Sequence, residues 1–176
     1  NGVSDPIWVQ NVATALGLTI TPAEVGFAGV SVPCPAANNT CTGYGQGGSR
    51  VTDPNGIGHL NGAGALTVPI VTQIANHLAR FTSFTDNDLI FVYAGNNDLF
   101  AQFEIFAATA TQILIDEGAG NITADEAQVA LFNAQTVAQT AMKTAALELA
   151  GYVRDQILAK GGKYVAVMTL SDIADT

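Results

Sequence analysis

One short apolar run stands out in the hydrophobic pattern of this chain, because a polar turn follows it directly. Residues 89–94 read Leu-Ile-Phe-Val-Tyr-Ala, and residues 95–98 read Gly-Asn-Asn-Asp. A run of strand-forming side chains without polar alternation predicts a strand that is covered on both faces. Glycine and asparagine tolerate the positive φ that tight turns require. The pattern therefore predicts a buried strand that ends abruptly in a polar turn.

Two helices are predicted in the first half of the chain. Ser4 or Asp5 can cap the first one, which continues to about Gly17. Thr67 is predicted to cap the second one, whose apolar residues recur at every fourth position. These apolar residues are Ile70, Ile74 and Leu78. Residues 18–32 between the two helices mix glycine, proline and apolar side chains, and are predicted to form a loop with one short strand at most.

Two longer helices are predicted in the second half. The third helix follows the polar turn over residues 99–117, with Asp98 as its cap. Thr123 and Glu126 have the spacing of a capping box and open a fourth helical pattern that extends to about residue 160. At about 1.5 Å per residue this pattern would be roughly 55 Å long, so a break is expected near residues 140–144 or near Gly151.

The order of these elements indicates one α/β domain over residues 1–176. A second apolar run, within residues 163–170, predicts another strand, so that strands alternate with helices. This alternation is typical of a parallel sheet. We count three to four strands, and both ends of the chain fall in predicted loops, so the domain is expected to be incomplete. Ligands bind beyond the carboxyl ends of parallel strands, which makes the turn at 95–98 a candidate site. An ordinary strand-to-helix connection is the alternative.

Composition and charge exclude several classes of protein. Apolar residues make up 48% of the chain and charged residues 12%, which argues against disorder and against a coiled coil. The net charge is −9, with six Lys and Arg residues in total. A chain this acidic has no basic surface for nucleic acid or for an anionic membrane.

The cysteines indicate the compartment. Cys34 and Cys41 flank a loop rich in proline and asparagine. Two thiols are too few for a metal site, and neither histidine lies near them in the sequence. A local disulfide is predicted, which implies an oxidising environment. Two free thiols are the alternative.

Residues 42–64 are rich in glycine and form a second candidate for chemistry. Gly43, Gly45 and Gly48 satisfy the bare G-x-G-x-x-G spacing, but the acidic residue expected about 20 positions later is missing. Nucleotide binding is therefore not predicted. His59 and His77 are interpreted as a loop histidine and a helix-end histidine, because neither has a neighbour typical of a catalytic or metal site.

Several blocks of this sequence match a known family when they are taken together. Residues 95–98 resemble the G-x-N-D block of the SGNH, or GDSL, esterases and lipases, and residues 44–51 resemble the N-Y-A-x-G-G-A-R block of their bacterial secreted and autotransporter-passenger branch. Residues 65–74 resemble the connecting helix of that branch, and residues 163–172 resemble its strand before L-P-D, with Ser171 in place of proline. The likeness covers nearly the whole chain. It implies a three-layer α/β/α fold with a parallel, flavodoxin-like sheet.

The resemblance also implies a function and a set of site residues. The family consists of ester hydrolases that form an acyl-enzyme on a serine and need no metal or organic cofactor. By position, the backbone N–H of Gly48 and the side-chain amide of Asn97 would form the oxyanion hole, Gly95 would make the turn and Asp98 would support it. These groups fit the chemistry, because acyl transfer develops negative charge on the carbonyl oxygen and fixed N–H donors stabilise that charge.

The residues after the turn are candidates for contact with an ester or lipid substrate. Leu99, Phe100 and Phe103 could line a pocket for the acyl chain, although packing in a protein core explains their apolar character equally well. The family branch and the predicted disulfide together imply a secreted, periplasmic or cell-surface protein.

The chain departs from the family pattern in the nucleophile and base motifs. Ser4-Asp5 is not G-D-S, Ser49 lacks a G-x-S-x-G elbow, and no Asp stands three residues before either histidine. In family order, the missing blocks would precede and follow this chain. We therefore expect an internal segment of a hydrolase whose other segments carry the serine and the Asp/His pair. The alternatives are a binding domain without catalysis and a structural or adhesive surface domain.

Overall fold

A computed structural model describes residues 6–60 and 63–170. The helices are α1 (Trp8–Ala15), α2 (Ile70–Phe81), α3 (Asn96–Gly118) and α4 (Ala124–Tyr152). The strands are β1 (Glu24–Phe27), β2 (Val30–Pro33), β3 (Leu89–Val92) and β4 (Tyr164–Val167). From β3 onward the order is β3, α3, α4, β4, and this combination of helices with a parallel pair of strands confirms the predicted α/β character. Within the described residues, no helix is long and apolar enough to cross a membrane.

The sheet formed by β3 and β4 is parallel, as the alternation of elements predicts. Leu89 pairs with Tyr164 and Val92 pairs with Val167. The N–H of Met168 then donates to the Val92 carbonyl at 2.9 Å and extends the ladder by one bond. The prediction that β3 is covered on both faces is wrong for the described residues, since Val92 is buried but Leu89 is 50% exposed. A strand in a sheet of two strands has too few neighbours to be covered along its whole length.

Strands β1 and β2 form an antiparallel hairpin where the sequence predicts a loop with one short strand at most. Val25 pairs with Val32 and Phe27 pairs with Val30. The two turn residues, Ala28 and Gly29, both have positive φ, at 55° and 74°. Tight hairpins require this conformation, and they normally achieve it with Asn-Gly or Asp-Gly. Alanine is unusual at the first of these positions, so the sequence does not indicate the hairpin.

The hydrophobic core lies between α2, the parallel sheet and the end of α4. Its buried members are Ile74, Phe84, Val92 and Ile157. Ile70 and Leu78 pack against them from α2, which confirms the predicted apolar face of that helix. The long connection through α3 and α4 therefore returns the chain to the same core from which β3 departs.

Helix α4 begins at the predicted position, and helical turns of other types continue to the predicted end near residue 160. The Thr123 side chain accepts a hydrogen bond from the Glu126 N–H, and the Glu126 carboxylate accepts one from the Thr123 N–H, as in a capping box. The helix runs without a break through residues 140–144, but its α-helical part ends at Tyr152, next to Gly151, where the other break is predicted. It then loosens into a π-helical turn (Val153–Ile157) and tightens into a 3₁₀ turn (Leu158–Lys160).

The predicted caps of α1 and α2 are wrong. Helix α1 begins after Ile7, and its predicted caps Ser4 and Asp5 lie outside the described residues. Ser171, which stands in place of the family's proline, also lies outside the described residues. Helix α2 begins after Pro69, so Thr67 lies outside it. The backbone of Thr67 has a φ of 47°, whereas an N-cap residue has extended backbone.

The disulfide between Cys34 and Cys41 is present, as predicted. The loop that it closes is held against the end of α2 by the guanidinium of Arg80. This group donates to the backbone carbonyls of Pro35 and Asn38, both at 2.6 Å, and also to that of Cys34 at 3.2 Å. The covalent bond closes the loop, and the half-buried Arg80 side chain ties it to the end of α2.

The core assignment can be tested at two neighbouring positions. Ile157 is 1% exposed and Leu158 is 48% exposed. Ile157→Ala should lower the free energy of unfolding by about 2–5 kcal/mol, because it leaves a cavity in the core. Leu158→Ala is the matched control and should cost well under half as much. Equal losses for the two variants in urea unfolding would contradict the assignment.

The environment of His77 predicts a pH dependence of stability. Its ring stacks on Phe84 at 4.2 Å between centroids. Burial lowers the pKa of His77 below its ordinary value of 6.5, and the opposing effects of the Asp88 carboxylate and the Ser83 backbone are smaller. The unfolded chain therefore takes up a proton at a higher pH than the folded chain. Stability from this group is complete above about pH 6.5 and is lost as the pH falls below that value.

The substitution His77→Phe removes the titrating imidazole, and with it the loss of stability at low pH, but it keeps an aromatic ring against Phe84. We expect the free energy of unfolding of the variant, relative to the parent protein, to rise as the pH is lowered from about 8 to about 5. Urea unfolding at several pH values measures it. A difference between the two proteins that does not change with pH would show that His77 has no lowered pKa.

Candidate functional site

The polar turn after β3 is made by Gly95. Its φ is 106°, a left-handed conformation, and a Cβ at this position would lie 3.4 Å from the Leu170 side chain. Helix α3 begins at the next residue, Asn96, with Gly95 as its N-cap. The prediction that the helix begins at Leu99 with Asp98 as its cap is therefore wrong. Asn97 and Asp98 lie in the first helical turn, where the free N–H groups of the helix favour a negative charge.

Asp98 joins this helical turn to the glycine-rich loop. Its side chain is buried, with the residue 5% exposed. One carboxylate oxygen accepts a hydrogen bond from the Val51 N–H at 3.0 Å, and the other lies 3.2 Å from Nε of Arg50. Arg50 also pairs with Asp53 at 2.6 Å. The Asp98 carboxylate thus bonds to the loop, whereas the family resemblance implies that it supports its own turn.

Asn97 lies beside the same loop. Its Nδ2 donates to the backbone carbonyl of Ser49 at 2.8 Å. A side-chain amide has two N–H groups, so one remains available for a further acceptor. The amide is half-buried, and its bond to Ser49 fixes its orientation. Because the amide is neutral, its partial burial requires no ion of opposite charge.

Gly48 precedes Ser49, and its conformation requires glycine. Its φ is 84°, and a Cβ at this position would lie 2.1 Å from the Ile57 carbonyl oxygen. The Gly48 carbonyl accepts a hydrogen bond from the Ile57 N–H at 2.9 Å. Among the described residues, the Gly48 N–H has no acceptor. The structure therefore places the Asn97 amide against Ser49, the residue that follows Gly48, although Asn97 and Gly48 are far apart in the sequence.

Helix α2 holds the loop from a third direction. The N–H of Ile70 donates to the Arg50 carbonyl at 3.1 Å, and that of Val71 donates to the Val51 carbonyl at 3.2 Å. The loop carbonyls thus accept hydrogen bonds from N–H groups in the first turn of α2, which have no acceptor within the helix. The Ser49 hydroxyl is buried and accepts from Nε2 of Gln73 at 3.4 Å, so it does not face the solvent as a nucleophile would.

The apolar residues after the turn do not lie in a core. Phe100 and Phe103 are 51% and 64% exposed, and Leu99 is half-buried. Core packing therefore does not explain the two phenylalanines. A separate open cavity of about 320 Å³ lies between the loop, α3 and α4. Its lining residues are Arg50, Thr52, Asp53, Asp98, Gln102, Ala141, Thr144, Ala145 and Glu148. Gly48 and Asn97 do not line it.

Neither histidine is placed as a general base for a serine. Nδ1 of His59 lies 3.1 Å from the Thr67 hydroxyl, and His77 is packed among aromatic rings. Within residues 6–60 and 63–170, no serine hydroxyl is hydrogen-bonded to a histidine. No group of three or more potential metal ligands occurs in this part of the chain.

Two residues of this region were not predicted from the sequence. Arg50 and Thr67 are both central to the loop, the first through Asp98 and the second through three polar partners. Arg50 carries a weak signal, because it is an isolated cation beside a glycine run. Thr67 carries a misleading one, because a threonine before Val-Pro is typical of a helix cap.

Comparisons with known proteins give no match. No family model matches this chain, and neither a curated protein nor a solved structure matches it.

The role of Asp98 in holding the loop can be tested by truncation. Asp98→Ala should lower the free energy of unfolding by about 1–3 kcal/mol, because the Val51 N–H loses its acceptor. Asp98→Asn keeps an acceptor oxygen and should cost less. Asp53→Ala removes the other, more exposed partner of Arg50 and should cost about 1 kcal/mol or less. Urea unfolding gives the stabilities, and hydrogen exchange of the Val51 amide reports the bond. Equal losses for Asp98→Ala and Asp53→Ala would contradict this role.

Proposed function

We propose that this chain is part of an ester hydrolase and supplies its oxyanion hole. The donors are the Gly48 N–H and the free N–H of the Asn97 amide. The observation that carries the proposal is the 2.8 Å bond from Asn97 to the Ser49 carbonyl, which holds a neutral amide donor next to Gly48. Two neutral donors on adjoining segments, with no serine–histidine pair beside them in the described residues, suit the stabilisation of a charge more than its generation.

The nucleophile and the base come from other segments of the same hydrolase. A serine activated by histidine attacks the carbonyl carbon of a carboxylic ester, and the carbonyl oxygen becomes negative. Gly48 and Asn97 donate to this oxygen. The alcohol leaves after it receives a proton from the histidine, and water then hydrolyses the acyl-enzyme. In this proposal, β3 and β4 belong to a larger parallel sheet of a three-layer α/β/α fold, since parallel sheets normally contain more strands and are covered on both faces.

The substrate is an ester with an apolar acyl part. Phe100 and Phe103 follow Asn97 within two turns of α3 and present exposed rings. Together with Leu99 they provide apolar surface beside the proposed oxyanion donors. The disulfide between Cys34 and Cys41 supports a secreted, periplasmic or cell-surface location, since such bonds persist in oxidising compartments.

A non-catalytic binding or surface domain is the second candidate. The absence of a serine–histidine pair among the described residues favours it. The two candidates differ in one result. The complete reading frame that contains this chain should hydrolyse p-nitrophenyl acyl esters and react with a fluorophosphonate at a serine. A complete protein that does neither is a binding or surface domain, and the hydrolase proposal is then wrong.

The role of Asn97 predicts a specific kinetic defect. In the complete protein, Asn97→Ala should lower kcat about 10²–10³-fold with little change in KM, because one donor to the oxyanion is lost. Asn96→Ala is the matched control. It removes the neighbouring amide, which donates to the Tyr93 hydroxyl at 2.6 Å, and should leave kcat nearly unchanged. Equal effects of Asn97→Ala on kcat and KM would count against an oxyanion role.

A further inference from the structure

Thr67 has an unusual backbone for its residue type. It is β-branched and fully buried, yet its φ is 47°. This left-handed conformation is rare for side chains with a branched Cβ. Such residues persist only where their surroundings fix them, and they occur preferentially at functional sites. The contacts of Thr67 show which neighbouring residues this conformation holds in place.

The hydroxyl of Thr67 connects three parts of one loop. It donates to the Pro54 carbonyl at 2.7 Å and accepts from the Gly56 N–H at 3.3 Å. Nδ1 of His59 lies 3.1 Å away and completes the set when it carries the proton. One buried hydroxyl therefore fixes the position of residues 54–59.

That segment is in direct contact with Gly48. The Ile57 N–H donates to the Gly48 carbonyl at 2.9 Å. A Cβ at Gly56 would lie 2.0 Å from the Gly48 carbonyl oxygen, and a Cβ at Gly48 would lie 3.0 Å from the Thr67 methyl group. Gly48 thus lies against residues that Thr67 holds, and against Thr67 itself.

We propose that Thr67 is a positioning residue for the Gly48 N–H. Its hydroxyl fixes residues 54–57, these fix the Gly48 carbonyl, and the fixed φ of Gly48 then sets the direction of its N–H. The inference rests on the proposed function, because it assigns to Thr67 the alignment of one oxyanion donor. Thr67 does not touch the substrate, since it is fully buried.

Two substitutions separate the hydroxyl from the shape of the side chain. Thr67→Val keeps the branched shape and loses the hydroxyl, whereas Thr67→Ser keeps the hydroxyl. In the complete protein, Thr67→Val should lower kcat roughly 10–100-fold at nearly constant KM, because small misplacements of catalytic groups have effects of this order. Thr67→Ser should restore most of the rate. The rate is expressed per serine labelled by fluorophosphonate, so that a loss of folded protein does not count.

A second variant covers the case in which Thr67→Val does not fold. Thr67→Gly also removes the hydroxyl, but glycine adopts positive φ without strain, and the same loss of kcat is expected. Thr21→Val is the control, because Thr21 is a part-buried threonine whose hydroxyl bonds to Thr40 in a different loop. Normal kcat in both Thr67→Val and Thr67→Gly would overturn the proposal.

An NMR measurement on the 176-residue chain does not depend on catalysis. Thr67→Val should shift the Gly48 amide resonance and speed its hydrogen exchange, whereas Thr67→Ser and Thr21→Val should not. An unchanged Gly48 amide would overturn the positioning role even if esters are hydrolysed. A complete parent protein without turnover would instead overturn the proposed function, and the NMR result would still decide whether Thr67 controls Gly48.

Discussion

The buried carboxylate of Asp98 connects two segments that the sequence separates by 47 positions. A charge at 5% exposure is costly unless it is paired and hydrogen-bonded, and Asp98 is both, through Arg50 and the Val51 N–H. Helix α3 follows β3 directly, and β3 is in register with β4. The bond at Asp98 therefore places the glycine-rich loop relative to the parallel sheet, and the bond from Asn97 to the Ser49 carbonyl joins the same two segments.

The loop is held from its other side by unrelated contacts. The first N–H groups of α2 donate to the carbonyls of Arg50 and Val51, and Thr67 fixes the segment that packs on Gly48. Backbone held from several sides has little freedom to reorient. Preorganised donors are effective in catalysis for this reason, because they do not have to turn toward the charge as it develops.

Features that depend on neighbouring residues could be predicted from the sequence. The capping box at Thr123, the apolar face of α2, the left-handed turn at Gly95 and the local disulfide are of this kind. The partners of Asp98 and Thr67 could not be predicted, because their bonds join positions that no local pattern relates. The resemblance to a family placed Gly48 and Asn97 in one site, and the geometry brings them together, but their catalytic role stays a proposal. The hairpin was missed because Ala28 is an unusual residue for its turn.

The charges around the proposed oxyanion hole raise a further question, since Asp98 is an anion next to Asn97 in a chain of net charge −9. A negative group close to a developing negative charge opposes the reaction. Arg50 offsets this effect. Its guanidinium contacts the Asp98 carboxylate at 3.2 Å, and its side chain is itself only 17% exposed, so solvent screens the pair weakly. The Val51 N–H and the N-terminal turn of α3 add further positive potential at the same carboxylate. Arg50 is shared with the more exposed Asp53, which it contacts at 2.6 Å, so it offsets the charge of Asp98 in part. The two donors proposed to face that oxygen, Gly48 and Asn97, are neutral and need no such compensation.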